Sequence, residues 1–142
     1  MNSVDIASCT ADTLPLTAEL VRLYDSVGWS AYTREPEALQ LGIRGSLHVV
    51  TARQDGLLVG LARVIGDGAT ICYLQDVLVD PTVQRTGLGR ELVARVFEPF
   101  AHVRQHVLMT DEEPGQKAFY EALGFAQLGE DAPGRAFVRF QG

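Results

Sequence analysis

A chain of 142 residues that is 46% hydrophobic and carries a formal charge of -6 has room for one domain with a real core, over residues 1–142, and for no second one. Eighteen acidic against twelve basic residues disfavour a nucleic acid held through its phosphates and weakly favour cationic or neutral small molecules. No apolar run approaches a membrane span, and residues 1–10 lack the basic start and long apolar stretch of a signal peptide, so a reduced, cytoplasmic setting without membrane contact is expected.

Residues 4–7 predict a short opening strand. Thr13-Leu14-Pro15 offers a cap and an early proline, and Leu16, Leu20, Leu23, Tyr24 and Val27 then recur at helical spacing until Gly28. A shorter helix is expected over 37–43, after Pro36, leaving 29–34 as a connection that carries aromatic residues. Segments 47–52 and 57–65 are rich in Val, Leu and Ile and flank Asp55-Gly56, a pair that favours a hairpin. Gly66-Asp67-Gly68 supplies the next turn, and 70–79 completes a three-stranded antiparallel meander. Leu88, Leu92, Val93, Val96 and Phe97 place a helix on the sheet, with Pro99 near its end. Residues 105–109 form another strand, which the intervening helix can set parallel to its predecessor. Asp111 or Glu112 is expected to cap a last helix with Pro114 in its first turn and Phe119, Ala122 and Leu123 toward the core, before a terminal hairpin of 125–128 and 136–140. The sum is a mixed α/β sheet with helices on both faces.

The segment from Tyr73 to Phe100 has the order of an anion cradle: apolar strand, Asp80-Pro81 break, the loop Gln84-Arg85-Thr86-Gly87-Leu88-Gly89, then a helix. Gly87 and Gly89 allow steep turns and close approach, and the free N–H groups of the helix start carry partial positive charge. Arg85 and Arg90 flank the loop and can bond the same phosphate oxygens. Trp29 and Tyr32 either wall an acceptor pocket or stack on a cation, or they anchor the core. Cys9 and Cys72 read as buried bystanders, and His48, His102 and His106 have no ligand spacing, so no metal is expected.

Three matches in order give this chain a resemblance to the GCN5-related N-acetyltransferase (GNAT) family: Val77-Leu78-Val79-Asp80-Pro81, then Gln84-Arg85-Thr86-Gly87-Leu88-Gly89, then Ala118-Phe119-Tyr120-Glu121-Ala122-Leu123-Gly124-Phe125. The resemblance implies a mostly antiparallel central sheet of six to seven strands flanked by helices, with acetyl-CoA as cosubstrate. Its pyrophosphate would lie on residues 84–90, and main-chain groups of Val77, Leu78 and Val79 would bond the pantetheine and the acetyl oxygen at a strand that splays from its neighbour. Tyr120 matches the family tyrosine, a general acid for the leaving thiolate. Asp76 is the first candidate for the base and Asp111, otherwise a helix cap, the second. Gln75 cannot ionise and can only position the acceptor; strand alternation puts it opposite Asp76 unless a bulge intervenes. Where relatives carry an asparagine and an alanine ahead of the Phe-Tyr pair, this chain has Glu113 and Gln116, and Glu113 can accept from a pantetheine amide but cannot donate. The implied reaction is direct attack of a primary amine on the thioester. A small-molecule acceptor is preferred over a peptide, and a homodimer is expected from the resemblance alone. The rivals are a non-catalytic acyl-CoA sensor and a dinucleotide or ATP enzyme, the latter disfavoured because no Lys-Ser/Thr pair follows the glycines.

Overall fold

The computed structural model describes residues 3–141, and the chain divides into two compact units, one ending at Met109 and one beginning at Thr110. The first holds β1 (Val4–Ser8), α1 (Thr17–Ser26), α2 (Ser30–Thr33), α3 (Pro36–Arg44), β2 (His48–Gln54), β3 (Leu57–Gly66), β4 (Ile71–Val79), α4 (Leu88–Phe97) and β5 (Gln105–Leu108). The sheet runs in chain order, β1 to β4 antiparallel and β5 parallel to β4. Asp55 and Gly56 both take positive φ, 52° and 81°, as a two-residue hairpin turn requires. The predicted meander and the parallel crossover are therefore both present.

Apolar spacing decides which face each helix covers. Leu20, Leu23 and Tyr24 of α1 and Leu39 and Ile43 of α3 share one core cluster with Val49, Leu58, Leu61 and Leu78 of the sheet. On the opposite face α4 approaches closely because Gly60 has no side chain: a Cβ there would lie 3.0 Å from Leu92 and 3.2 Å from the Cβ of Ala52. Two one-residue bulges interrupt the alternation. Register passes from Ala52↔Gly60 to Arg53↔Leu58, leaving Val59 extra, and from Arg63↔Asp76 to Val64↔Leu74, leaving Gln75 extra. The second bulge turns Asp76 and Leu78 toward α1, while Leu74 stays on the other face.

β4 and β5 pair only from Ile71↔Gln105 to Leu74↔Leu108, whereas β4 continues to Val79. Past Leu74 no strand of the described residues pairs with that edge.

Several expectations need correction. Helix α1 starts at Thr17 rather than near Thr13; Leu16 precedes it, 71% exposed, and its N–H is taken by the Glu19 carboxylate at 3.0 Å. The aromatic connection contains the single turn α2. In the second unit, α5 (Gln116–Ala122) begins after Gly115, whose φ of 98° only glycine adopts without strain. Asp111 is not its cap: its carboxylate accepts the Glu113 N–H at 3.0 Å in a local turn. No residue of α5 is buried and Ala122 is exposed, so the expected core face is incomplete. The terminal hairpin is absent. Gln127's carbonyl accepts from the N–H groups of Asp131 and Ala132 at 3.0 and 3.2 Å, curling the chain where a strand would extend. Residues 136–140 stay unpaired, with Phe137 91% and Phe140 85% exposed. The described residues thus form five strands, not six to seven.

Candidate active site at the split sheet edge

The polarity of the open edge follows from register. Asp80 donates its N–H to the Val59 carbonyl at 2.8 Å, and Val79 lies opposite Gly60, so the main-chain groups of Leu78 face β3 while those of Val77 and Val79 face the opening. Leu78, expected beside these two as a main-chain ligand, is thereby set apart, and its side chain belongs to the core. The Val79 carbonyl is taken by Gln84 Nε2 at 3.0 Å, which leaves its N–H and both groups of Val77 directed at the gap.

Immediately beyond, the loop is built by local bonds. Asp80 accepts from Thr82 N–H at 3.0 Å and Thr82 Oγ1 at 2.8 Å on one oxygen, and from Arg22 at 3.1 Å on the other. The Thr82 N–H, with Arg22 adding its charge, holds the Asp80 carboxyl below the ordinary carboxylate range. Arg22 also donates to the Leu58 carbonyl, tying α1 to the same corner. Thr86 Oγ1 donates to the Val83 carbonyl at 2.8 Å. Arg85 and Gly87 both sit in the left-handed region, φ 67° and 81°, an unusual state for an arginine. Helical bonding begins with Glu91 N–H to Gly87 O at 3.1 Å, so the N–H groups of Leu88, Gly89 and Arg90 have no partner within the helix. Gln84, Arg85, Thr86, Gly87 and Arg90 are exposed, the Leu88 side chain is buried, and a Cβ on Gly87 would meet nothing within 4 Å. Open space, free donors and two guanidinium groups suit a diphosphate.

Behind the open edge lies a buried polar cluster. Asp76, 3% exposed, accepts on Oδ2 from Arg63 Nε at 2.6 Å and the Tyr24 hydroxyl at 2.9 Å, and on Oδ1 from the Tyr32 hydroxyl at 2.7 Å. Arg63 extends to α3, donating to the Gly42 carbonyl at 3.0 Å and Ser46 Oγ at 3.2 Å. Gln75 Nε2 donates to the Tyr32 hydroxyl at 3.1 Å. The bulge therefore brings Gln75 and Asp76 to one phenol. Burial, with the Asp76 charge assisting, pushes Tyr24 far above its ordinary value, and burial likewise raises Tyr32, so both remain protonated donors. Trp29 packs on the core, its ring 5.8 Å from that of Tyr24 and 6.2 Å from that of Tyr32. Tyr24 and Arg63 escaped the sequence reading. The available signal was Arg63, an arginine inside an otherwise apolar strand, whereas Tyr24 read only as part of the apolar stripe of α1.

In the second unit Tyr120 is half-buried, edge-on to Phe119 at 4.9 Å and Phe125 at 6.0 Å. Burial, and then the Asp111 carboxylate, raise its phenol above the usual value. Glu113 is exposed and Gln116 half-buried at the start of α5. So Trp29, Tyr32, Gln75, Asp76 and the cradle belong to the first unit, and Asp111, Glu113, Gln116 and Tyr120 to the second. His48 and His106 bond the carbonyls of Val96 and Phe100, both at 2.9 Å, and Cys72 is buried. Among the described residues no group of three or more His, Cys, Asp or Glu is placed to hold a metal ion.

Comparison with known proteins gives this geometry a context. The family model described as an acetyltransferase (GNAT) domain matches residues 24–141. An uncharacterized N-acetyltransferase of Pyropia yezoensis is 28% identical over 111 residues, covering 75% of this chain and 63% of that protein. The chloroplastic serotonin N-acetyltransferase 2 of Oryza sativa is 34% identical over 84 residues, covering 59% and 42%. The chain thus spans less than two thirds of these relatives. Among solved structures, a GNAT-family acetyltransferase from Streptococcus pneumoniae superposes with a TM-score of 0.81 at 28% identity, covering 98% of this chain and all of that one.

Proposed function

Because the chain belongs to the GNAT acetyltransferase family, we propose that it transfers an acetyl group from acetyl-CoA to the primary amine of a small molecule, by direct attack on the thioester. The observation that carries this reading is the end of β4–β5 pairing at Leu74↔Leu108, which opens main-chain groups of β4 directly ahead of a helix start with unpartnered N–H groups. The N–H groups of Leu88, Gly89 and Arg90, with Gln84, Arg85, Thr86 and Gly87, would hold the pyrophosphate, and Val77 and Val79 the pantetheine and the acetyl oxygen. Glu113 and Gln116 are further candidates for the pantetheine arm.

The amine nitrogen forms a bond to the thioester carbon as the carbon–sulfur bond breaks. The thiolate takes its proton from Tyr120, and the proton shed by the amine passes to water. A phenol whose ionisation burial and Asp111 oppose is still protonated at neutral pH and can serve as that acid. Trp29 and Tyr32 would wall the acceptor side, with Gln75 as a polar contact. This wall and the similarity to the rice serotonin N-acetyltransferase support an arylalkylamine as the first acceptor to try.

The test is an acetyl-transfer assay over arylalkylamines, polyamines, amino acids, aminoglycosides and peptides, reading both released CoA and the acetylated product by mass. Acetylation of one class supports the proposal. Tight acetyl-CoA binding with no transfer to any of them would instead leave an acyl-CoA sensor.

A further inference from the structure

Resting on the acetyl-transfer reading, we infer that the side-chain carbonyl of Gln75 receives the N–H of the acceptor amine, and that Asp76 positions this group through Tyr32 instead of taking the amine's proton. The bonding direction along the cluster is dictated from its buried end. A guanidinium only donates, so Arg63 makes Asp76 the acceptor, at 2.6 Å. Tyr24 fills a further site on the same oxygen at 2.9 Å, and the Tyr32 hydrogen is spent on the other oxygen at 2.7 Å. With its hydrogen committed inward, the Tyr32 oxygen can only receive from Gln75, which therefore turns its NH2 toward it at 3.1 Å. The Gln75 carbonyl oxygen is left over and points away from that bond.

Placement makes this leftover acceptor useful. Gln75 is the extra residue of the bulge, is exposed, and immediately follows Leu74, the last residue of β4 paired with β5. It stands at the start of the open edge, beside the aromatic wall of Tyr32 and Trp29. Asp76 is 3% exposed beneath Tyr24 of α1, Tyr32 of α2 and Arg63 of β3, and every one of these donates to it. A substrate would have to displace a buried donor to reach it. A neutral carbonyl also suits the chemistry better than a carboxylate, because an anion beside the nitrogen would favour the ammonium form, which cannot attack.

Steady-state kinetics on the acceptor that the wild type acetylates test this. Gln75→Leu is expected to raise the acceptor KM about threefold to tenfold, the worth of one neutral hydrogen bond, with the acetyl-CoA KM unchanged. Tyr32→Phe frees the amide to rotate and should raise the acceptor KM in the same direction, while both variants keep the wild-type apparent pKa in the kcat profile. Asp76→Asn, if it folds, should behave as a positioning variant: a higher acceptor KM and an unshifted kcat profile. Unchanged acceptor KM in Gln75→Leu overturns the inference, as does loss of the ionisation from the kcat profile of Asp76→Asn with acceptor KM intact. Absence of wild-type turnover on any amine would overturn the acetyl-transfer reading itself, a distinct result.

Discussion

The Arg63 and Asp76 side chains are 7% and 3% exposed, so deleting either charge leaves the other stranded among Tyr24, Tyr32 and the core. Asp76→Ala is expected to destabilise the fold by about 3–5 kcal/mol, read from the shift of the urea unfolding midpoint. The proposed acid, Tyr120, is tested through turnover instead. Tyr120→Phe should lower kcat about a hundredfold while acetyl-CoA affinity measured by calorimetry is retained. A general acid works only while protonated, and this phenol is raised, so the wild-type kcat should hold through neutral pH and fall on the alkaline side beyond the ordinary tyrosine range; Tyr120→Phe should lose that alkaline limb. At this scale the sequence was half legible. Asp76, Gln75 and Tyr32 were visible as polar or aromatic residues in telling places, but their mutual contact needs two elements far apart in the chain, and Tyr24 was indistinguishable from its apolar neighbours on α1.

An element's position can matter more than its chemistry, as α4 illustrates. Its start supplies the unpartnered N–H groups of the cradle, and its seat on the sheet depends on Gly60. Gly60→Val should cost about 1–3 kcal/mol by overpacking against Leu92 and Ala52, measured by thermal unfolding, and weaken acetyl-CoA binding by displacing the helix. Gly89→Trp tests the cradle directly: the acetyl-CoA dissociation constant should rise at least tenfold in calorimetry, with the unfolding temperature little changed, and equal affinity would remove the loop from the site. Helices and the meander were readable because periodicity and the Asp55-Gly56 turn are local signals. Bulges are not. Whether Gln75 is extra depends on how Arg63 and Val64 pair across the hairpin, and the terminal hairpin failed because alternating apolar residues say nothing of whether a partner strand is within reach.

Across the whole molecule, eighteen acidic and twelve basic residues make a field that attracts a protonated amine and is screened by salt. For a cationic acceptor kcat/KM should fall modestly as sodium chloride rises from 20 to 300 mM (roughly 20 Å down to 6 Å of screening length), and for a neutral amine it should not. Composition and motif order were enough to anticipate a mixed sheet with helices on both faces and a loop before α4; the acceptor is less legible, because its recognition rests on residues brought together only by folding. The sheet has one more property, its strict order from β1 to β5. During synthesis each strand after the first meets a neighbour that has already left the ribosome, so the sheet can grow at one edge without waiting for distant chain, and the split edge of β4 is finished only when β5 arrives last.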